Sequence, residues 1–156
     1  MDRALIYLRV STMDQARKEL PIESQRSRCL EFAKGRGLKV DELNDVYVDR
    51  GISGRSLGSR LGLQELLKRC KTDETITGVI FYDISRLARN LLDYQMIRKE
   101  LQNNGVSILS ATEGITGEDT PSAWMSENLT ALFAEFRSRQ DGEKIGNSMR
   151  AKAESG

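Results

Sequence analysis

Ser11 ends the run Tyr7-Leu8-Arg9-Val10-Ser11-Thr12, directly after a short apolar stretch. In parallel α/β sheets the carboxyl edge of the strands is where ligands bind, so a serine there is available for chemistry. Arg86 and Arg89 follow another apolar stretch, in Ile84-Ser85-Arg86-Leu87-Ala88-Arg89-Asn90, and leave from the same edge. Their spacing of three predicts one face of a helical turn, converging on Ser11. Arginine carries a permanent charge on a planar fork that binds phosphate oxygens bidentately. Arg9, Arg60, Arg86 and Arg89 around one hydroxyl therefore read as a phosphoryl-transfer site. Each part has a plainer use, since a serine after a strand commonly caps a helix and arginines that open a helix commonly face solvent; the combination carries the reading.

The chain contains no histidine, which removes the usual general base near neutral pH and the commonest metal ligand. A Ser/His/Asp triad is excluded, no metal site is expected, and no cofactor motif is present. Cys29 and Cys70 are too far apart in sequence for a CxxC pair and read as buried or idle thiols in a reducing compartment. A free serine hydroxyl is a weak nucleophile, so with no base at hand the arginines themselves are expected to favour the alkoxide.

These residues need a scaffold, and 156 residues suit one domain with a real core. An apolar fraction of 38% and a charged fraction of 30% exclude the disordered and disulfide-scaffold classes. The first apolar stretch is too short for a signal sequence, and no run approaches a membrane span, so no membrane partner and a cytoplasmic location are expected. A net charge of +1 gives no bulk attraction to a polyanion, and any such partner must be met by a local cluster.

The hydrophobic pattern predicts strands over 4–8, 45–48, 78–82 and 106–109, and helices over about 22–34, from 61 towards Thr72, and over 91–101. A glycine- and serine-rich loop spans 51–58. Strands alternating with crossover helices imply an α/β fold: a three-layer domain with a mostly parallel central sheet. After Pro121 the pattern changes to one long C-terminal helix, with Met125, Leu129, Leu132 and Phe136 at spacings of four, three and four. Those four read as an interface stripe or, equally, as core. A helix of that length outgrows the domain, so the division expected is 1–120 for the α/β domain and 121–156 for the helix, cut from a longer protein.

The chain resembles the catalytic domain of serine recombinases, the family of resolvases, invertases and phage-type integrases. The resemblance rests on Tyr7-Leu8-Arg9-Val10-Ser11-Thr12 with Gln15, Glu23-Ser24-Gln25-Arg26, and Val48-Asp49-Arg50-Gly51-Ile52-Ser53-Gly54. It continues through Arg60-Leu61-Gly62-Leu63, Ser85-Arg86-Leu87-Ala88-Arg89 and Ala134-Glu135-Phe136. Leu20-Pro21-Ile22-Glu23-Ser24-Gln25, and the long stretch before it, look most like the large serine integrases.

The resemblance implies a resolvase-like fold and a metal-free cut and rejoining of double-stranded DNA. Ser11 would attack a backbone phosphate, leaving a 5′-phosphoserine link and a free 3′ hydroxyl. Arg9, Arg86 and Arg89 match the phosphate-binding arginines, Arg60 the arginine after the mobile loop, and Asp49 an acidic position near the site. Tyr7, Gln15 and Gln25 match supporting positions around the nucleophile. Where the family usually has an acidic residue before the paired arginines, this chain has Ser85; Asp83, two residues earlier, would share its face if the strand continued that far. The long helix would form a homodimer interface, with a homotetramer in the synaptic complex, and would lead to a C-terminal DNA-binding region absent from the sequence. A recombinase-like assembly module without cleavage activity, and a small flavodoxin-like phosphate binder, are the competing readings.

Overall fold

The computed structural model describes residues 2–11, 20–51 and 60–155, with side chains at all of these except 11, 51 and 143–155. In chain order the elements are β1 (Arg3–Ser11), α1 (Ile22–Gly35), β2 (Val46–Gly51), α2 (Leu61–Thr72), β3 (Ile76–Phe81), α3 (Ile84–Leu87), α4 (Leu91–Asn103), β4 (Ser107–Ser110) and α5 (Pro121–Ser155). The four strands form one sheet in the order β2-β1-β3-β4, and every neighbouring pair is parallel.

β1 lies inside the sheet and is buried on both faces, which is why residues 4–8 read as an unbroken apolar run. Ala4, Ile6, Leu8 and Val10 pack against Ile22, Cys29 and Ala33 of α1. Leu5 and Tyr7 point the other way, into a core shared with Leu66 of α2, Leu87 of α3, Tyr94 and Leu101 of α4, and Ala131 of α5. The layers are therefore α1, the sheet, and the remaining helices, giving the expected three-layer α/β fold. The strands run past their apolar stretches: Arg9, Val10 and Ser11 pair in register with Asp49, Arg50 and Gly51, since the backbone ladder continues whatever the side chains.

Buried charges tie the layers together. Asp45, fully buried before β2, accepts from Arg69 of α2 at 2.6 Å, from Arg3 of β1 at 3.2 Å and from the Asp41 N–H at 2.8 Å. α5 opens with Pro at its first position, where the missing N–H costs nothing, and Thr120 Oγ1 accepts from the Ala123 N–H. Its inner face is small and polar. Ala131 is buried, Glu127 pairs with Arg98 at 2.8 Å, and Asn128 Oδ1 accepts from Gln95 at 3.0 Å. No helix among the described residues is long and apolar enough to cross a membrane.

Two leucines of equal hydrophobicity separate packing from composition. Leu66 is 0% exposed and Leu43 is 90% exposed. Leu66→Ala is expected to cost about 2–5 kcal/mol and Leu43→Ala less than about 0.5 kcal/mol, read from urea midpoints at unchanged slope.

Candidate active site

Arg9 lies on β1, and the other three arginines of interest sit at helix starts. Arg60 immediately precedes α2, Arg86 is the third residue of α3, and Arg89 lies two residues before α4. The first N–H groups of a helix have no partner inside it, and here carboxylates from distant parts of the chain take them. Asp49, on β2, accepts the Gly62 N–H through Oδ1 at 2.8 Å and the Leu63 N–H through Oδ2 at 3.0 Å. Arg60, in the capping position of α2, makes no side-chain cap bond. Glu113, beyond β4, accepts the Ile84 N–H of α3 at 2.6 Å. Glu135, on α5, accepts the Leu91 N–H of α4 at 3.1 Å. A carboxylate also suits the positive end of the helix dipole.

Asp49 links this arrangement to β1. The Tyr7 hydroxyl donates to Asp49 Oδ2 at 2.7 Å. Burial, reinforced by the bond to Asp49 and its charge, pushes the Tyr7 phenol far up, while the Arg9 and Arg60 charges act in the opposite sense. Tyr7 thus stays protonated, a fixed donor to Asp49. Arg9 Nη2 donates to the Ser85 carbonyl and so joins the end of β1 to the Arg86 helix. Gln25 is fully buried, and its Nε2 donates to the Leu20 carbonyl at 3.1 Å and, more weakly, to that of Arg9 at 3.4 Å. Ser11 closes β1 in register with Gly51, while Gln15 and the loop at 52–59 lie outside the described residues.

Two expectations need correction. Arg86 and Arg89 do not share one helical face, because α3 stops at Leu87 and Ala88 is extended, with φ −131° and ψ 148°. Asn90 caps a new helix, its Oδ1 accepting the Asp93 N–H at 2.8 Å, and that Asn-x-x-Asp signal is where the sequence could have revealed the break. Second, the strand does not continue to Asp83. β3 ends at Phe81, and Asp83 is the cap of α3, accepting the Arg86 N–H and the Ser85 hydroxyl. The Arg60 guanidinium, expected among the arginines around Ser11, has two partners within the fold. It donates to the Leu87 carbonyl at 2.7 Å and pairs with Asp93 at 2.6 Å, and the same Asp93 oxygen accepts the Arg89 N–H at 3.0 Å. Arg60 thereby acts as a tie beneath the 86–89 segment.

Sequence reasoning missed Glu113 and Asp93, and gave Glu135 no role. Burial raises the Glu113 carboxyl above its ordinary range, although its bond to Ile84 works the other way. Burial also pushes the Cys29 thiol up to about 12 and the Cys70 thiol up to about 11, so neither supplies a thiolate nucleophile near neutral pH. Among the described residues no three His, Cys, Asp or Glu side chains gather as a metal-binding group.

The approach of α2 to Asp49 depends on Gly62. A Cβ there would lie 2.9 Å from Asp49 Oδ1 and 3.0 Å from the Val48 carbonyl oxygen. Gly62→Ala is accordingly expected to destabilise by about 1–3 kcal/mol despite alanine's better helix propensity, measured by chemical denaturation.

The family model "Resolvase, N terminal domain" matches residues 4–156. The transposon Tn21 resolvase of Escherichia coli is 32% identical over 135 residues, covering 83% of this chain and 59% of that protein. A putative DNA recombinase of Bacillus subtilis (strain 168) is 30% identical over 156 residues, covering 97% of this chain and 28% of that one. The chain thus spans less than two thirds of the length of these relatives. In three dimensions it is similar to the crystal structure of a resolvase family site-specific recombinase from Streptococcus pneumoniae, with a TM-score of 0.68, 24% identity and 99% of each chain covered. With the family model matching nearly its whole length, the chain belongs to the resolvase family and carries that family's N-terminal domain.

Proposed function

We propose that this chain is the catalytic domain of a site-specific serine recombinase, cleaving and rejoining double-stranded DNA through a covalent 5′-phosphoserine intermediate. The observation that carries the reading is the bond from Arg9 to the Ser85 carbonyl, which brings the strand ending in Ser11 beside the helix bearing Arg86. In the reaction the Ser11 oxygen bonds to a backbone phosphorus, the bond from phosphorus to the 3′ oxygen breaks, and that oxygen leaves as a hydroxyl. Rejoining reverses the exchange. Arg9, Arg86 and Arg89 offset the charge that develops on the transferred phosphoryl group, a task for fixed donors that need no reorganisation. Arg60 and Asp49 support them by holding the helix starts, and Tyr7 and Gln25 fix the path of β1. The match to the Bacillus subtilis protein, of which this chain covers 28%, favours a long recombinase of the integrase type. Cytoplasmic action fits a DNA substrate and two free, buried cysteines.

The reading extends to assembly. Met125, Leu129, Leu132 and Phe136 are all exposed, between 46% and 60%, and Phe133, one turn from Leu129, extends the same apolar surface. Such a stripe on a long helix suits a second copy of the chain, forming a homodimer and, when two DNA sites are brought together, a homotetramer. Leu129→Glu is expected to weaken self-association at least about tenfold in sedimentation velocity, with the monomer still folded; unchanged association would remove the stripe from the interface.

Cleavage is tested by incubating the full natural chain with nicked duplexes taken from either side of its own gene and seeking protein–DNA adducts that survive detergent. Ser11→Ala is expected to abolish the adduct, and Arg86→Ala to slow its formation about 100-fold or more. An adduct that persists in Ser11→Ala would overturn the assignment of the nucleophile. No adduct with the natural chain would favour the alternative of an assembly module, which the serine at position 85 makes worth testing.

A further inference from the structure

The two ends of the arginine segment are held from different parts of the molecule. At its start the Ile84 N–H is held by Glu113, which is itself anchored to Ser110 at the end of β4. At its end the Leu91 N–H is held by Glu135, which belongs to α5. Between them α3 and α4 are separate helices, with Ala88 extended, so no continuous helical ladder sets the course of 88–90. Arg89 is tied through its own N–H to Asp93, inside the first turn of the helix that Glu135 caps.

Three polar contacts seat α5 on α4: Glu127 with Arg98, Asn128 with Gln95, and Glu135 with the Leu91 N–H. The first two grip the middle of α4, whereas the third meets the chain two residues from Arg89. The other Glu135 oxygen accepts from Arg139 of the same helix at 2.9 Å, which orients the carboxylate. The Leu91 N–H and then Arg139 hold this carboxyl below its ordinary range, so it is ionised when it caps α4.

We propose that Glu135 is a positioning residue for the segment carrying Arg86 and Arg89, acting through its bond to the Leu91 N–H and making the placement of those arginines depend on how α5 is seated. The inference rests on the reading of Arg86 and Arg89 as phosphate-contacting residues. Because α5 also carries the exposed apolar stripe, a shift of that helix at a subunit contact would reach the arginines through one hydrogen bond.

The test uses the full natural chain and the same nicked duplexes, with single-turnover cleavage and DNA affinity measured separately. Glu135→Asp keeps the charge but withdraws the carboxylate by one methylene, while Glu135→Gln keeps the reach and an acceptor oxygen. Glu135→Asp is expected to slow cleavage about tenfold or more, since displacements near 1 Å are costly at a reacting centre, with DNA affinity unchanged. Glu135→Gln is expected to cleave within about threefold of the natural chain, because the acceptor is still in place. Cleavage by Glu135→Asp at the natural rate would overturn the proposal. So would rate and affinity falling together in both variants, the mark of general loss of structure. Arg86→Ala run alongside separates the two levels: if it cleaves at the natural rate, the reading of the arginines fails and takes the proposal with it.

Discussion

A backbone N–H in the first turn of a helix must find its partner outside that helix, and in this domain the partners arrive from far away in the chain. Asp49 supplies α2, Glu113 supplies α3 and Glu135 supplies α4. Hydrogen bonds to charged groups stabilise by about 1.5–3 kcal/mol, more than a neutral cap supplies. The geometric effect matters as much, because the starts of α2, α3 and α4 are where Arg60, Arg86 and Arg89 stand. A carboxyl group bonded to each helix end fixes the turn, while guanidinium groups bond elsewhere in the same segment: Arg9 on the Ser85 carbonyl, Arg60 on the Leu87 carbonyl and Asp93. Asp93 adds a further tie, pairing with the Arg60 guanidinium and accepting the Arg89 N–H through the same oxygen.

The long helix serves two surfaces with opposite chemistry. Its inner side, through Glu127, Asn128, Ala131 and Glu135, is small and polar and binds α4 by specific pairs. Its outer side is the apolar one. This reverses the usual amphipathic arrangement, in which the apolar stripe marks the core. The equal weighting of interface and core for Met125, Leu129, Leu132 and Phe136 therefore resolves against core packing in this chain, since all four are exposed.

The sheet was legible in the sequence because β1 and β3 are buried on both faces and advertise it as apolar runs, α1, α2 and α4 because their buried residues recur at helical spacing, and α5 because its exposed apolar residues do. What was hidden is non-local. Glu113 and Glu135 lie 29 and 44 residues from the amides they hold, and Asp93 lies 33 from Arg60, separations at which no periodicity connects them. Asp49 and Arg60 were visible as residues of a family pattern, yet their contacts, a helix cap and a tie to Asp93, required the fold. The break at Ala88 was misread because Arg86 and Arg89 have helical spacing by themselves; Asn90, an acceptor placed three residues before Asp93, was the local sign that a new helix begins.

Amide hydrogen exchange across the helix starts tests this account most directly. First-turn amides normally exchange fast, since they lack partners within the helix. Here the Gly62, Leu63, Ile84 and Leu91 amides are expected to be protected to the same degree as the middle of their helices or of the adjoining sheet. Fast exchange at these four positions, beside a protected core, would contradict the claim that distant carboxylates hold the arginine-bearing turns in place.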